Sequence, residues 1–162
     1  DGTERWSFST RGGVSDGPAV VDDTVYAGSR DSNVYALDVS DGSQRWQFEV
    51  DAPIHTSPTV TDETLFVGSN DGYLYAVELG DDDPDGLWRF QTGRSITASS
   101  AATDTHVFVG STSGNFFAIL PTDGSSVWRF EVDSEIQAGP AVADEWLYFG
   151  TTDGTVHAIR SG

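Results

Sequence analysis

Four tryptophans constrain this chain more than any other feature. Trp6, Trp46, Trp88 and Trp128 lie 40, 42 and 40 residues apart, and Gly28, Gly68, Gly110 and Gly150 follow them at a constant 22. Ala36, Ala76, Ala118 and Ala158 come eight positions later still. Offsets held this tightly mean that one structural unit is built four times, each copy burying its apolar face on the next. The units run 1–40, 41–84, 85–122 and 123–162, within one domain over 1–162. All variation in length falls between Glu78 and Leu87, where GDDDPD precedes Trp88.

Within a unit the apolar pattern has period two, which belongs to strands and not to helices. Phe8, Phe48, Phe90 and Phe130 each stand two residues after a Trp, on the same face of a strand. The Trp strands are expected at 4–10, 44–50, 87–92 and 127–132. A second strand carries Pro18, Pro58, Ser100 or Pro140 and stops at Asp22, Asp62, Asp104 or Asp144. VYAGS, LFVGS, VFVGS and LYFGT form the third. Asp71-Gly72, Ser113-Gly114 and Asp153-Gly154 then supply the positive φ of a tight hairpin turn, and Asp31-Ser32 is a poorer version of it. The fourth strand reads NVYALDV, YLYAVEL, NFFAILP or TVHAIRS. Four strands in about forty residues, with no helical stretch, make an all-β chain of blade-sized units: a β-propeller with four four-stranded blades per chain.

Ala36-x-Asp38-x-x-Asp41-Gly42-x-x-x-Trp46 carries the next step. It resembles the tryptophan-docking motif of the pyrroloquinoline quinone (PQQ) enzyme repeats, Ala-x-Asp-x-x-Thr-Gly-x-x-x-Trp, with Asp41 in place of Thr. Leu120 and Arg160 stand where the first Asp belongs. The resemblance covers the whole chain. It implies blades locked together by Trp6, Trp46, Trp88 and Trp128 packing on a neighbouring blade's peptide and on Ala36, Ala76, Ala118 and Ala158. Packing is also what these residue types do best, since Trp buries a large flat surface and Ala and Gly make room for it.

Joining the chain's ends puts Trp6 ten positions after Ala158, the spacing of Ala36 to Trp46. Strand 4–10 is therefore expected to complete the last blade from outside, with the ring closed on itself or shared as eight blades with a second copy, a homodimer. Closure matters because an open array leaves strand edges exposed.

Twenty-six Asp and Glu against eight basic residues, all Arg, leave a net charge of −18. That field repels nucleic acid and anionic membrane, and no apolar run is long enough to insert in a bilayer. Carboxylates spread through every turn, with no Lys, suit multimolar salt, where self-repulsion is screened, and the composition resembles that of haloarchaeal proteins. A high-salt organism and an extracellular or cell-surface location are the expectations. With no Cys, thiolate sites and disulfides are excluded. There is no Met, even at position 1, so the chain is expected to be processed or excised from a longer one.

The candidate binding residues share a position. Nine residues after each Trp come Ser15, His55, Thr97 and Gln137, polar and all different, beside the uniformly apolar Val14, Ile54, Ile96 and Ile136. At the start of the innermost strand they are expected to ring a channel mouth, with Asp16 and Thr56 adjacent. No catalytic residue can be singled out. Asp81, Asp82, Asp83 and Asp85 could offer oxygen ligands to Ca²⁺ but lack the Gly and closing Glu of a helix–loop–helix site. His55, His106 and His157 occupy different repeat positions, so repeat symmetry makes no metal site of them, and His157 replaces an aromatic.

What the resemblance implies for function divides in two. Cofactor-free propellers of this type serve as protein-binding scaffolds, in outer-membrane assembly and in kinase sensors. The dehydrogenases bind PQQ and Ca²⁺ within long insertions, and the alcohol-oxidising ones stack a vicinal Cys pair on the quinone. This chain has short loops and no Cys. The reading is therefore a non-catalytic scaffold for a protein or peptide, with no cofactor; the alternative is a fragment of a quinoprotein dehydrogenase.

Overall fold

The computed structural model describes residues 1–61, 63–80 and 84–161. Four sheets follow one another along the chain, each a meander whose strands pair in sequence order. The first contains β1 (Ala19–Val21), β2 (Thr24–Gly28), β3 (Asn33–Asp38) and β4 (Gln44–Glu49). The second contains β5 (Thr59–Val60), β6 (Thr64–Gly68), β7 (Tyr73–Glu78) and β8 (Gly86–Gln91). The third contains β9 (Ala101–Ala102), β10 (Val107–Gly110), β11 (Asn115–Ile119) and β12 (Ser126–Glu131). The fourth has three strands, β13 (Ala141–Ala143), β14 (Trp146–Gly150) and β15 (Val156–Arg160). Every Trp strand in these sheets is the outermost strand of the blade before it, so each of the first three blades borrows its fourth strand from the next sequence unit. β1, β5 and β9 touch in series and are the inner strands.

The core lies between blades, not at the middle of the molecule. Its first part holds Val34, Ala36 and Trp46 of the first blade against Leu65, Val67 and Val77 of the second. The same faces meet between the second and third blades and between the third and fourth. Both faces of the two middle blades are thus buried, which is why their strands read LFV and VFV without a polar break.

The Trp–Ala motif is a hairpin with an outward hook. Ala36 stands directly opposite Trp46 in the same sheet, and the register then slips by one residue at Ala36/Leu37. The same slip recurs at Ala76/Val77 and Ala118/Ile119. The alanine that makes room for each of these Trp residues therefore belongs to its own blade. The peptide it docks on is the neighbour's: Trp46 Nε1 donates to the Gly80 carbonyl at 3.0 Å, Trp88 to Pro121 at 2.9 Å and Trp128 to Ser161 at 3.2 Å. Gly124 has φ +74°, and a Cβ there would lie 2.7 Å from the Trp88 ring, so only glycine allows this approach.

The turn between second and third strands shows the cost of the odd copy. Gly72, Gly114 and Gly154 have φ of 86°, 79° and 88°, and Ser32 is held at 69° in their place. A side chain in the left-handed region costs roughly 1 kcal/mol. Ser32→Gly should therefore raise stability by about 1 kcal/mol, read as a shift in chemical denaturation at fixed salt.

Acidic turns hold the loops by accepting hydrogen bonds. Asp38 accepts from the Ser40 hydroxyl and from Arg45, which keep its carboxyl far below the usual carboxylate range. Ser125 does the same for Asp123, and Thr151 for Asp153. A carboxylate whose folded pKa is depressed stabilises the fold above its ordinary pKa of 3.8, and that contribution is lost as pH falls through the folded value. Stability in constant salt should therefore drop below about pH 4, followed by tryptophan fluorescence.

Candidate functional site

At the start of each inner strand the four blades present equivalent residues, and three blades meet on one carboxylate. Asp16 accepts from the Gly17 N–H at 2.8 Å, from the Ser57 N–H at 3.2 Å and from the Ser99 hydroxyl at 2.8 Å. Ser57 N–H also donates to Ser99 Oγ at 2.9 Å. The Ser99 hydroxyl, then the Gly17 amide, pull the Asp16 carboxyl below the usual range. Next to them Thr59 donates to the Ser100 carbonyl at 2.8 Å and tethers two inner strands.

Three of the four loops are pinned by a buried apolar anchor. Ile54, Ile96 and Ile136 are fully buried, and their N–H groups donate to the carbonyls of Ser29, Ser69 and Ser111 in the preceding blade. Each isoleucine side chain covers a glycine: Gly28, Gly68 and Gly110. Val14, the fourth member, is 48% exposed.

The expected residues divide by environment. Ser15 is exposed and accepts from Arg30 Nε at 2.7 Å; Gln137 is exposed and donates to Glu135 at 2.7 Å. His55 is half-buried. Thr97 has a buried hydroxyl with no hydrogen-bond partner among the described residues. Thr56 is 2% exposed and spends its hydroxyl on the Gly68 carbonyl, which makes it a structural residue of the loop. Asp16 is exposed and is held by the loops of the second and third blades. Ser57 and Ser99, which complete its cluster, were not singled out by sequence. Their one signal is that Gly17, Ser57, Ser99 and Gly139, eleven residues after each Trp, are all small. A Cβ on Gly139 would lie 3.0 Å from the Ser99 carbonyl.

On the side of the sheets where the Asp22- and Asp104-type turns lie, a groove of about 770 Å³ runs between the second and third blades. Glu63, Glu78, Asp104 and Thr122 are in its wall. Among the described residues no three His, Asp or Glu side chains are grouped to hold a metal ion. Asp81, Asp82 and Asp83 lie outside the described residues. His157 stacks on Phe149 at 5.0 Å, as an aromatic substitute would. No helix among the described residues is long and apolar enough to cross a membrane.

The family described as outer membrane protein assembly factor BamB matches the chain twice, over residues 1–83 and 81–161. The chain belongs to this PQQ-like propeller family. Solved structures agree on the fold. BamB from Moraxella catarrhalis is 22% identical, with a TM-score of 0.83 over 96% of this chain and 49% of its own. The computationally designed protein Ika4 is 20% identical, with a TM-score of 0.88 over 100% of both chains. A quinohemoprotein alcohol dehydrogenase from Pseudomonas putida is 19% identical, with a TM-score of 0.79 over 91% of this chain and 30% of its own. The chain thus spans about half the length of that BamB. No curated protein sequence matches it.

Proposed function

We propose that the chain is a non-catalytic scaffold that holds a protein or peptide partner at the channel mouth, in a high-salt, extracellular or cell-surface setting. The observation that carries this reading is the arrangement around Asp16. Loops from three blades converge there, two of them pinned by the buried Ile54 and Ile96, while Ser15, His55, Thr97 and Gln137 differ from blade to blade on that common frame. A rigid frame with variable polar tips is how a propeller selects a ligand without chemistry of its own. The family description, an assembly factor, supports a protein partner. The net charge of −18 favours a neutral or basic segment of it, and supports the salt setting.

The alternative, a quinoprotein fragment holding PQQ and Ca²⁺, is weaker on the chemistry of the site. PQQ is a tricarboxylate, the carboxylate of Asp16 on which three loops converge would repel it unless Ca²⁺ lay between them, and among the described residues no three His, Asp or Glu side chains are grouped to hold that ion. The residues do not fit that group.

The test is a screen of displayed peptides in multimolar KCl, with the bound position mapped by NMR. A saturable peptide that shifts Ser15, His55, Thr97 and Gln137 is expected, and Thr97→Arg should weaken it at least tenfold. Binding mapped only to the outer rim would overturn the reading, as would saturable PQQ binding with Ca²⁺.

A further inference from the structure

The two end blades expose complementary faces. On the fourth blade Trp146 is 40% exposed, Tyr148 41% and Val156 75%, although Phe66 and Leu74, the counterparts of the last two in the second blade, are covered by the third. On the first blade Val14 is 48% exposed and Val20 61%. Residues 4–10 belong to no sheet, yet they are already shaped as a strand: Trp6, Phe8 and Thr10 are half-buried and Arg5, Ser7 and Ser9 exposed. They lie on the first blade, where Trp6 Nε1 donates to the Val39 carbonyl at 2.9 Å and Phe8 meets Tyr35 at 5.4 Å. β15 has no outer neighbour among the described residues, and a groove of about 520 Å³ follows it, lined by Trp128, Phe130, Trp146 and Ala158.

We propose that two copies of this chain close one eight-bladed ring, residues 4–10 of each forming the fourth strand beside β15 of the other. The register follows from the complete blades. Ala36 faces Trp46, Val34 faces Phe48 and Asn33 faces Glu49, so Ala158 takes Trp6, Val156 takes Phe8 and Thr155 takes Ser9. A second lock follows in the same way. Gly28, Gly68 and Gly110 are each covered by an isoleucine whose Cγ2 lies within 2.5 Å of a built Cβ, but Gly150 meets only Ala138, at 3.6 Å. Val14 of the other copy is the residue that fits there.

The occupant is a second copy and not the chain's own first blade. In one chain the strand is docked on the first blade while the faces of the first and fourth blades both remain exposed. The chain also superposes on 49% of a BamB chain with a TM-score of 0.83, so its blades are set against one another as they are in that part of BamB. Two heterologous ends related by a twofold axis close without a free edge. Closure doubles the channel-mouth set, so the binding site is complete only in the dimer. One contact is unfavourable: Arg160 occupies the place of Asp38 and would face Arg5, as Asp38 faces Arg45. Both arginines are exposed, and at about 1 M salt charges are screened within roughly 3 Å.

This inference rests on the fold and not on the binding role, and its test needs no ligand. The chain has no Cys, so an introduced pair is unambiguous. Ser9→Cys with Thr155→Cys puts two thiols on opposed strand positions, about 4.5–5.5 Å apart at Cα, within disulfide range. Oxidised in multimolar KCl, the variant should run at twice the 17.4 kDa of one chain, and light scattering of the unmodified protein should give the same mass. Gly150→Val should keep the unmodified protein's circular dichroism but stay monomeric. A disulfide within one chain, a ladder of longer species, or a dimer that does not cross-link at these positions would overturn the proposal. So would a Gly150→Val chain that still dimerises.

Discussion

Trp46→Ala should destabilise the chain by about 3–5 kcal/mol, the largest effect of any single truncation here. Trp46 is 2% exposed and lies between the first and second blades, with Tyr26 at 5.6 Å on its own sheet and Leu65 and Val67 across the interface. Its removal opens a cavity that neither sheet can collapse into, because strand spacing is fixed by backbone hydrogen bonds. Trp46→Phe separates the two parts of the lock. It keeps most of the apolar area and loses the Nε1 bond to Gly80, so it should cost nearer 1–2 kcal/mol. Denaturant titration in fixed multimolar KCl measures both. Equal losses for the two variants would mean that the hydrogen bond, and not the packing, holds the blades.

The second large effect comes from adding one atom. A Cβ at Gly68 would sit 2.3 Å from Ile96 Cγ2 and 2.8 Å from its Cβ. Ile96 is fully buried, with its N–H held by the Ser69 carbonyl, so it cannot swing aside. Gly68→Ala should therefore cost about 2–3 kcal/mol through overpacking. Combined with Ile96→Ala the 2.3 Å contact is removed and only the 2.8 Å approach to the retained Cβ is left, so the double variant should be more stable than the sum of the two single losses by at least 1 kcal/mol. Strict additivity in that cycle would mean that glycine and isoleucine do not share one space.

The repeat offsets made much of this legible in advance. Trp46 and Ala36 sit ten residues apart around a tight turn, and that spacing leaves little choice but a hairpin that sets them opposite each other. The constant interval from Trp46 to Gly68 similarly reflects a fixed path from outer strand, through Ile54, to the edge that the next isoleucine covers. Such intervals are encoded locally, because strand rise and turn length depend on neighbours in sequence. The convergence on Asp16 was not encoded in that way. It depends on how steeply one blade is set against the next, and Asp16 reaches Ser99 across 83 positions with no periodic signal between them. The polar positions after each isoleucine were visible as a row, but sequence gave no means of separating Thr56, whose hydroxyl is consumed by Gly68, from His55 beside it. The turn at Ser32 was recognisable as imperfect because three copies carry glycine there.

The same logic explains the last blade. Sequence places a Trp strand at 4–10 in register for β15, while the structure puts that segment on the first blade with its edge free to pair. Both are consistent with one strand that does two jobs: it docks on its own first blade through Trp6 and pairs with a β15 that its own chain does not bring to it. On the proposed ring closure, scaffold and site are joined, because the second copy completes the channel mouth.

Hydrogen exchange of the backbone amides of residues 4–10, measured across a range of protein concentrations in multimolar KCl, tests this most directly. The account predicts that their protection rises with concentration until it equals that of β4, the corresponding strand of a complete blade. Amides that exchange freely at every concentration, or that are protected equally at the lowest one, would contradict it.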